Sequence, residues 1–333
     1  MKTARLEIRT DLALEEREGL KEQAKEVSGV SFRKWKGKTE DVQITEVKVL
    51  NEAGAEILGK PVGSYLTLEA DRLLLPDEDF HSEVSDELAN VLKELAEHAL
   101  GKKEGEEKEA PFLHGQPVIL VAGLGNQSVT PDSLGPRTVN NLSVSQNETG
   151  LKAIAPGVMA QTGMETARIL SGLIREIKPD LVIAIDALAA RSIRRLGTTI
   201  QLTDTGIHPG SGVGNHRHSL TKETLGIPVL AVGVPTVVGA AAIVHDTISA
   251  LTGVLASEEA TKNTGKWIEN MNPEDQYRMI RELLEPEFGS LYVTPPDIDQ
   301  RVKQLSFTIS EGIHRAVTVF RRSEEHTSEL QSL

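Results

Sequence analysis

An uninterrupted apolar run spans residues 118–122 and leads straight into Gly123-Leu124-Gly125-Asn126. A strand buried on both faces reads this way when it opens onto a glycine-rich turn. A helix start follows, with Thr130 as cap, Pro131 at the first helical position and Asp132 in the first turn. Further on, Thr162-Gly163-Met164-Glu165 has the spacing of a capping box. The helix it opens carries Ile169, Leu170, Leu173, Ile174 and Ile177 on one face and stops at Pro179. A second buried strand, 180–185, ends in Asp186-Ala187-Leu188-Ala189-Ala190-Arg191. Strand, helix, strand is a βαβ unit, so the two strands run parallel with their carboxyl ends on one rim. Ligands gather at that rim in open α/β sheets, and Asp132 and Asp186 both project from it.

The remaining pattern supports a single large α/β domain. Thr10 or Asp11 caps a helix running towards Glu26, and alternation predicts strands over 42–50 and 63–69. A helix over 84–100 carries Leu88, Val91, Leu92 and Leu95 at helical spacing, and the charged run at 101–109 reads as a solvated loop. Residues 140–152 read as an exposed connection and 155–157 as a turn. Strands follow over 198–202 and 228–234, separated by a loop at 203–215 rich in glycine, proline and asparagine. Helices over 236–255, 273–284 and 296–319 complete the chain. The final stretch, 322–333, resembles the translation of a sequencing adapter, and is set apart from the fold as a non-native tail.

Composition narrows the chemistry. The 333 residues hold no cysteine, which excludes disulfides, thiol nucleophiles and cysteine-ligated metals and suits a cytosolic protein. The formal net charge of -13 argues against a nucleic-acid backbone as partner and is compatible with basic protein substrates. The amino terminus is charged throughout, and no apolar run is expected to reach the roughly 18 residues of a membrane span.

Two carboxylates held close together cannot both ionise cheaply, so they share a proton; one then accepts a proton from water while the other donates. That is peptide-hydrolase chemistry without a covalent intermediate. The structural alternatives are a carboxylate resting on a helix amino terminus for Asp132 and a cap for Asp186. His208, in the glycine-rich loop, could join the two aspartates as an oxygen and nitrogen ligand set for a divalent metal, or be an ordinary loop histidine; Asp204 is a lesser candidate. Gly123-Leu124-Gly125 is not a dinucleotide fingerprint, because Ser128 stands where the third glycine belongs. Ser211 lacks the Gly-x-Ser-x-Gly elbow of serine hydrolases.

With these motifs in order, residues 8–320 resemble the germination-protease family of endospore-forming bacteria, most densely at 123–136, 155–163, 182–191 and 203–215. The resemblance implies an atypical aspartic endopeptidase that degrades small acid-soluble spore proteins in the spore core. It implies a phosphorylase/hydrolase-like, mainly parallel sheet flanked by helices, as in hydrogenase-maturation endopeptidases. Asp132 and Asp186 fall on the catalytic aspartates, with Asn126, Asp204 and His208 as substrate or loop support and no metal or other cofactor. The alternative is a metal-dependent maturation-type peptidase using Asp132, Asp186 and His208. The resemblance also implies a zymogen, a homotetramer that cuts itself at a substrate-like site. Thr10-Asp11-Leu12-Ala13 has that shape, which implies processing between Asp11 and Leu12, a propeptide of 1–11 and a peptidase body of 12–321. Neither direct nucleic-acid binding nor a membrane is expected. Gln127 stands where relatives carry an aromatic residue, and the connections near Asn147 and Asn263 are shorter than usual.

Overall fold

The computed structural model describes residues 10–21, 28–101, 117–144, 150–208, 219–257, 263 and 273–331. The charged run beyond 101 and the glycine-rich loop from 209 lie outside them, as do residues 1–9. One nine-stranded sheet organises the described chain.

Its parallel half is built from β4 (Ile119–Gly123), β5 (Leu151–Ile154), β6 (Leu181–Ala190) and β8 (Val229–Gly239). β4 pairs in parallel with both β5 and β6, and β6 pairs in parallel with β8. β4 and the first half of β6 are continuous apolar runs because helices cover both faces. On one face α3 (Glu78–Ala99) and α10 (Ile298–Gln331) bury Val84, Leu88, Leu92, Val302, Leu305, Ile309 and Ile313 against the sheet. On the other, α6 (Thr166–Ile177) and α7 (Lys222–Leu225) bury Leu170, Ile174 and Leu225 against Leu120, Val182, Ala184 and Val229.

The other half is antiparallel. β7 (Thr199–Thr203) joins β8, and β3 (Gly63–Glu69), β2 (Gln43–Val49) and β1 (Val30–Lys36) follow outward. The expected sheet of helix-flanked strands is present, but it is mixed rather than mainly parallel. Polar residues are interspersed along this half, as Thr45, Glu46 and Lys48 are in β2. Ile44, Leu66, Leu68, Ile200 and Leu202 point to the α3/α10 face. Val47, Val49 and Tyr65 point to the opposite face, where α1 (Ala13–Lys21) and α2 (Glu52–Leu58) contribute Ala13 and Leu58.

Several local expectations are corrected. The helix expected over 84–100 starts earlier, at Glu78, where the Asp77 side chain caps the Phe80 N–H. β6 does not stop at 185 but continues to Ala190, with a register shift at Leu188/Ala189. β8 likewise runs to Gly239, so α8 (Ala240–Ser257) begins after the predicted Thr236. No capping box forms at Thr162. That residue ends a short helix, α5 (Met159–Thr162), and Glu165 is the N-cap of α6. Part of the expected connection at 140–152 is β5, and β1 and β9 (Tyr292–Val293) were not anticipated. One helix, α8, reaches spanning length by composition, with a mean hydropathy of 1.3, because its residues are almost all small or apolar. It packs against β8 and α9 (Pro273–Phe288). The backbone of α10 continues through Gln331, beyond the predicted end near 319.

Candidate active site

The ladder between β4 and β6 ends with the Leu124 N–H donating to the Ile185 carbonyl at 2.8 Å. Gly125 then turns the chain at φ 111°, and a side chain there would strike the Asp132 carbonyl oxygen at 2.0 Å. Only glycine fits such a turn. The next residue, Asn126, donates its N–H to the Asp132 carboxylate at 2.7 Å. Its side-chain oxygen accepts from the Ser128 N–H at 3.0 Å and from Gln161 Nε2 at 2.7 Å. Asn126 therefore supports the loop around Asp132. Thr130 does not cap a helix here. Residues Thr130–Asp132 form a 3-10 turn, and α4 (Leu134–Asn141) starts after it.

Asp186 lies inside β6 rather than after it, one residue past the last β4 partner, Gly123↔Ile185. Its Oδ1 accepts from the Ala187 N–H at 3.0 Å. The 3-10 turn bearing Asp132 packs against β6 and β8. The two aspartates are thus joined by a short rigid path: Asp132 to the Asn126 N–H, two residues back to Leu124, and across to Ile185, the neighbour of Asp186. Both are half-buried.

Across the sheet, Asp186 stands opposite Gly233 on β8, and Gly233 stands opposite Gln201 on β7. Thr67 and Thr45 continue the row on β3 and β2. Residues directly opposite share a face, so this is a polar row between two apolar clusters. Strands lie about 4.8 Å apart, which puts the backbones of Asp186 and Gln201 about 10 Å apart on either side of a glycine. The Leu188 side chain lies over Gly233.

The segment Thr10-Asp11-Leu12 crosses this face. The Asp11 N–H donates to the Ala189 carbonyl at 2.9 Å, and the Asp11 carboxylate accepts from the Ala189 N–H at 2.8 Å. The Asp11 carbonyl accepts from Lys60 Nζ at 3.1 Å and from Gln201 Nε2 at 3.2 Å. Leu12 is fully buried among Ala190, Leu196, Val238, Ala242 and Tyr277. Behind it, the Glu15 carboxylate accepts from the N–H groups of Arg191 at 2.7 Å and Ser192 at 3.0 Å and from the Thr10 hydroxyl, with Arg195 at 3.5 Å. Burial outweighs those partners and holds its carboxyl above the usual range. Arg195 also pairs with Glu18 at 2.9 Å and with Glu69, tying α1 to the sheet.

Asp204 is a structural carboxylate, accepting from the Ser64 N–H at 2.8 Å where β3 begins, with His98 at 3.6 Å. His208 is exposed, its Nε2 facing the Thr205 carbonyl at 3.1 Å. Crowding of its ring lowers its pKa, and the positive charge of Lys60 adds to the effect. Among the described residues no three His, Asp or Glu side chains come together as a ligand set, so Asp132, Asp186 and His208 do not form the trio weighed for a metal. Lys60 and Gln201 carried no motif in the sequence. Gln201, a polar residue inside the apolar strand Thr199-Ile200-Gln201-Leu202, offered the one available signal.

A profile of the germination proteases matches residues 6–267. This chain belongs to the germination-protease family. Among the relatives, the germination protease of Caldanaerobacter subterraneus subsp. tengcongensis is 47% identical over 326 residues, 94% of each chain. That of Clostridium perfringens is 40% identical, covering 93% of this chain and 95% of its own. The Bacillus mycoides enzyme is 38% identical, covering 93% of both. A [NiFe] hydrogenase maturation protease, HycI from Thermococcus kodakarensis, is 18% identical with a TM-score of 0.31, covering 60% of this chain and 94% of its own; that similarity is too low to carry a structural argument. Membership makes the chain a peptide hydrolase of spore germination.

Proposed function

We propose that this endopeptidase starts the degradation of small acid-soluble spore proteins in the spore core, and that Asp132 and Asp186 are its shared-proton dyad. One carboxylate takes a proton from the attacking water, and the other gives a proton to the departing amide nitrogen. The observation that carries this reading is the short path from Asp132 through Asn126 and Leu124 to Ile185, beside Asp186. Residues 1–11 act as a propeptide in front of a body of 12–321, and the enzyme cuts its own Asp11–Leu12 bond. In support, the Asp11 backbone pairs with Ala189, three residues along β6 from Asp186. Apolar residues left exposed on α8 and α9, including Leu251, Val254, Leu283 and Phe288, support assembly into a homotetramer.

The test is incubation of the full chain, and of Asp132→Asn and Asp186→Asn, followed by amino-terminal sequencing. Cleavage of a peptide containing Thr-Glu-Ile-Ala, with and without chelator, accompanies it. Wild type is expected to acquire Leu12 as its first residue and to cut the peptide in chelator, while either substitution lowers both rates by at least about 10³-fold. Cutting by both variants at the wild-type rate would remove the dyad.

A further inference from the structure

We infer that Lys60 and Gln201 bind the carbonyl oxygen of the peptide bond being cut and stabilise the negative charge that develops on it. The inference rests on the reading of Asp11–Leu12 as the scissile bond. Two side-chain donors of different chemistry converge on that one carbonyl, an ammonium at 3.1 Å and a carboxamide at 3.2 Å. The orientation of Gln201 is dictated by its other contact. Its Oε1 accepts from the Ala13 N–H at 2.8 Å, which turns its NH2 towards the Asp11 oxygen. Gln201 is buried in the central sheet, a costly place for a carboxamide unless both ends are engaged. It thus grips the chain on both sides of Leu12.

Lys60 comes from a different direction. α2 ends at Gly59 in the left-handed conformation, and the chain that follows directs Lys60 Nζ to the carbonyls of Asp11 and, at 3.3 Å, Thr10. Asp186 lies on the other side of Gly233 from Gln201, on the same face. The donors to the bond's oxygen and the aspartate thus lie on one face of the sheet, two strands apart, with the Leu188 side chain over the intervening Gly233.

The chemistry follows from that division. When water attacks the Asp11 carbonyl carbon, one aspartate takes its proton and the carbonyl π electrons move onto oxygen. A cation and an N–H dipole already aimed at that oxygen stabilise it more than they stabilise the neutral carbonyl, which is the condition for catalysis. The C–N bond then breaks, its electrons staying on nitrogen, which receives a proton from the other aspartate. The oxyanion's electrons re-form the carbonyl as that bond breaks, and once the new acid's proton has passed to the amine the Asp11 side is a carboxylate and Leu12 an ammonium, so the elements of one water are consumed. The dyad handles protons, while Lys60 and Gln201 handle charge.

Lys60→Met keeps the stem of the half-buried side chain and removes the charge, so it carries the test. Four quantities are read for the full chain: the first-order rate of Asp11–Leu12 cleavage, kcat and KM on a Thr-Glu-Ile-Ala peptide, the melting temperature, and hydrogen exchange at the Leu12 and Ala13 amides. The expected result is a cleavage rate and a kcat lowered about 10²- to 10³-fold, with KM, melting and exchange little changed, and partial recovery in Lys60→Arg. Gln201→Ala is expected to lower the rate similarly, with some loss of melting temperature from the missing Ala13 contact. Wild-type or faster cleavage in Lys60→Met, alongside an inactive Asp132→Asn, would overturn the charge-stabilising role and leave the dyad standing. Fast exchange at Leu12 in Lys60→Met would also overturn it, by making Lys60 a clamp. Absence of any cut at Asp11–Leu12 in wild type would remove this inference together with the autoprocessing reading.

Discussion

His81 sits where α3 meets α10, its Nδ1 2.7 Å from the Thr308 hydroxyl and its Nε2 3.2 Å from the Leu75 carbonyl. A carbonyl can only accept, so Nε2 carries a proton, while the Thr308 hydroxyl beside Nδ1 also faces the Gln304 carbonyl at 3.0 Å. Burial lowers its pKa from the ordinary value, outweighing the Leu75 carbonyl and the charge of Asp77. The folded protein therefore prefers the neutral ring, while the unfolded chain takes up a proton near its ordinary pKa of about 6.5. The stability this provides is complete above that pH and is lost as pH falls from there through the lowered folded value. Urea midpoints measured from about pH 7.5 to about pH 5 are expected to fall more steeply in wild type than in His81→Gln, which cannot titrate. Parallel curves would show that His81 contributes nothing to acid sensitivity.

At the scale of elements, α10 is the main cover of one face of the sheet. Its buried side chains, Val302, Leu305, Ile309, Ile313, Ala316 and Val317, recur at helical spacing and close the core over α3 and α4. Ile309→Ala, at a fully buried position, is expected to cost about 2–5 kcal/mol. Truncation after Arg321, which removes the stretch set apart as non-native, is expected to leave the melting temperature unchanged. A large drop on truncation would mean that 322–333 packs. How well each element was legible follows the strength of its period. β3, β4 and α6 were readable because apolar runs or helical spacing are decided locally. The extension of β6 to Ala190 was not, since its alanines have no strand preference and are held by pairing with β8; in β8, Pro235 reads as a break before a helix although Thr236, Val237 and Val238 favour strand. The capping-box pattern at Thr162 misled because Gly163 takes the left-handed conformation and ends a preceding turn. The placement of Asp132 and Asp186 close to the carboxyl ends of the β4–β6 ladder could be read from the βαβ pattern. Lys60 and Gln201 could not, because they reach the Asp11 carbonyl through tertiary contacts at sequence separations of 49 and 190.

On the scale of the whole molecule, the segment 10–21 behaves as a strap across the sheet, and cutting it changes the energetics of its own binding. In the intact chain Leu12 is uncharged and fully buried, and its N–H donates to Thr10 Oγ1 at 3.1 Å. After cleavage that nitrogen becomes an α-amine, with a pKa of about 8, protonated at neutral pH and parted from Thr10. The Leu12 side chain is packed among Ala190, Leu196, Val238, Ala242 and Tyr277, so a charge on the adjoining nitrogen borders an apolar cluster. Glu15 loses the Thr10 hydroxyl in the same step and remains a buried carboxylate relying on Arg195 and two backbone N–H groups. If the proposed Asp11–Leu12 cleavage occurs, both changes are expected to weaken the hold of α1 on the sheet. Brief digestion by a nonspecific protease is expected to nick the 12–21 segment in self-cleaved protein and to spare it in Asp132→Asn, which keeps the bond intact. Equal protection in both forms would mean that the strap stays docked.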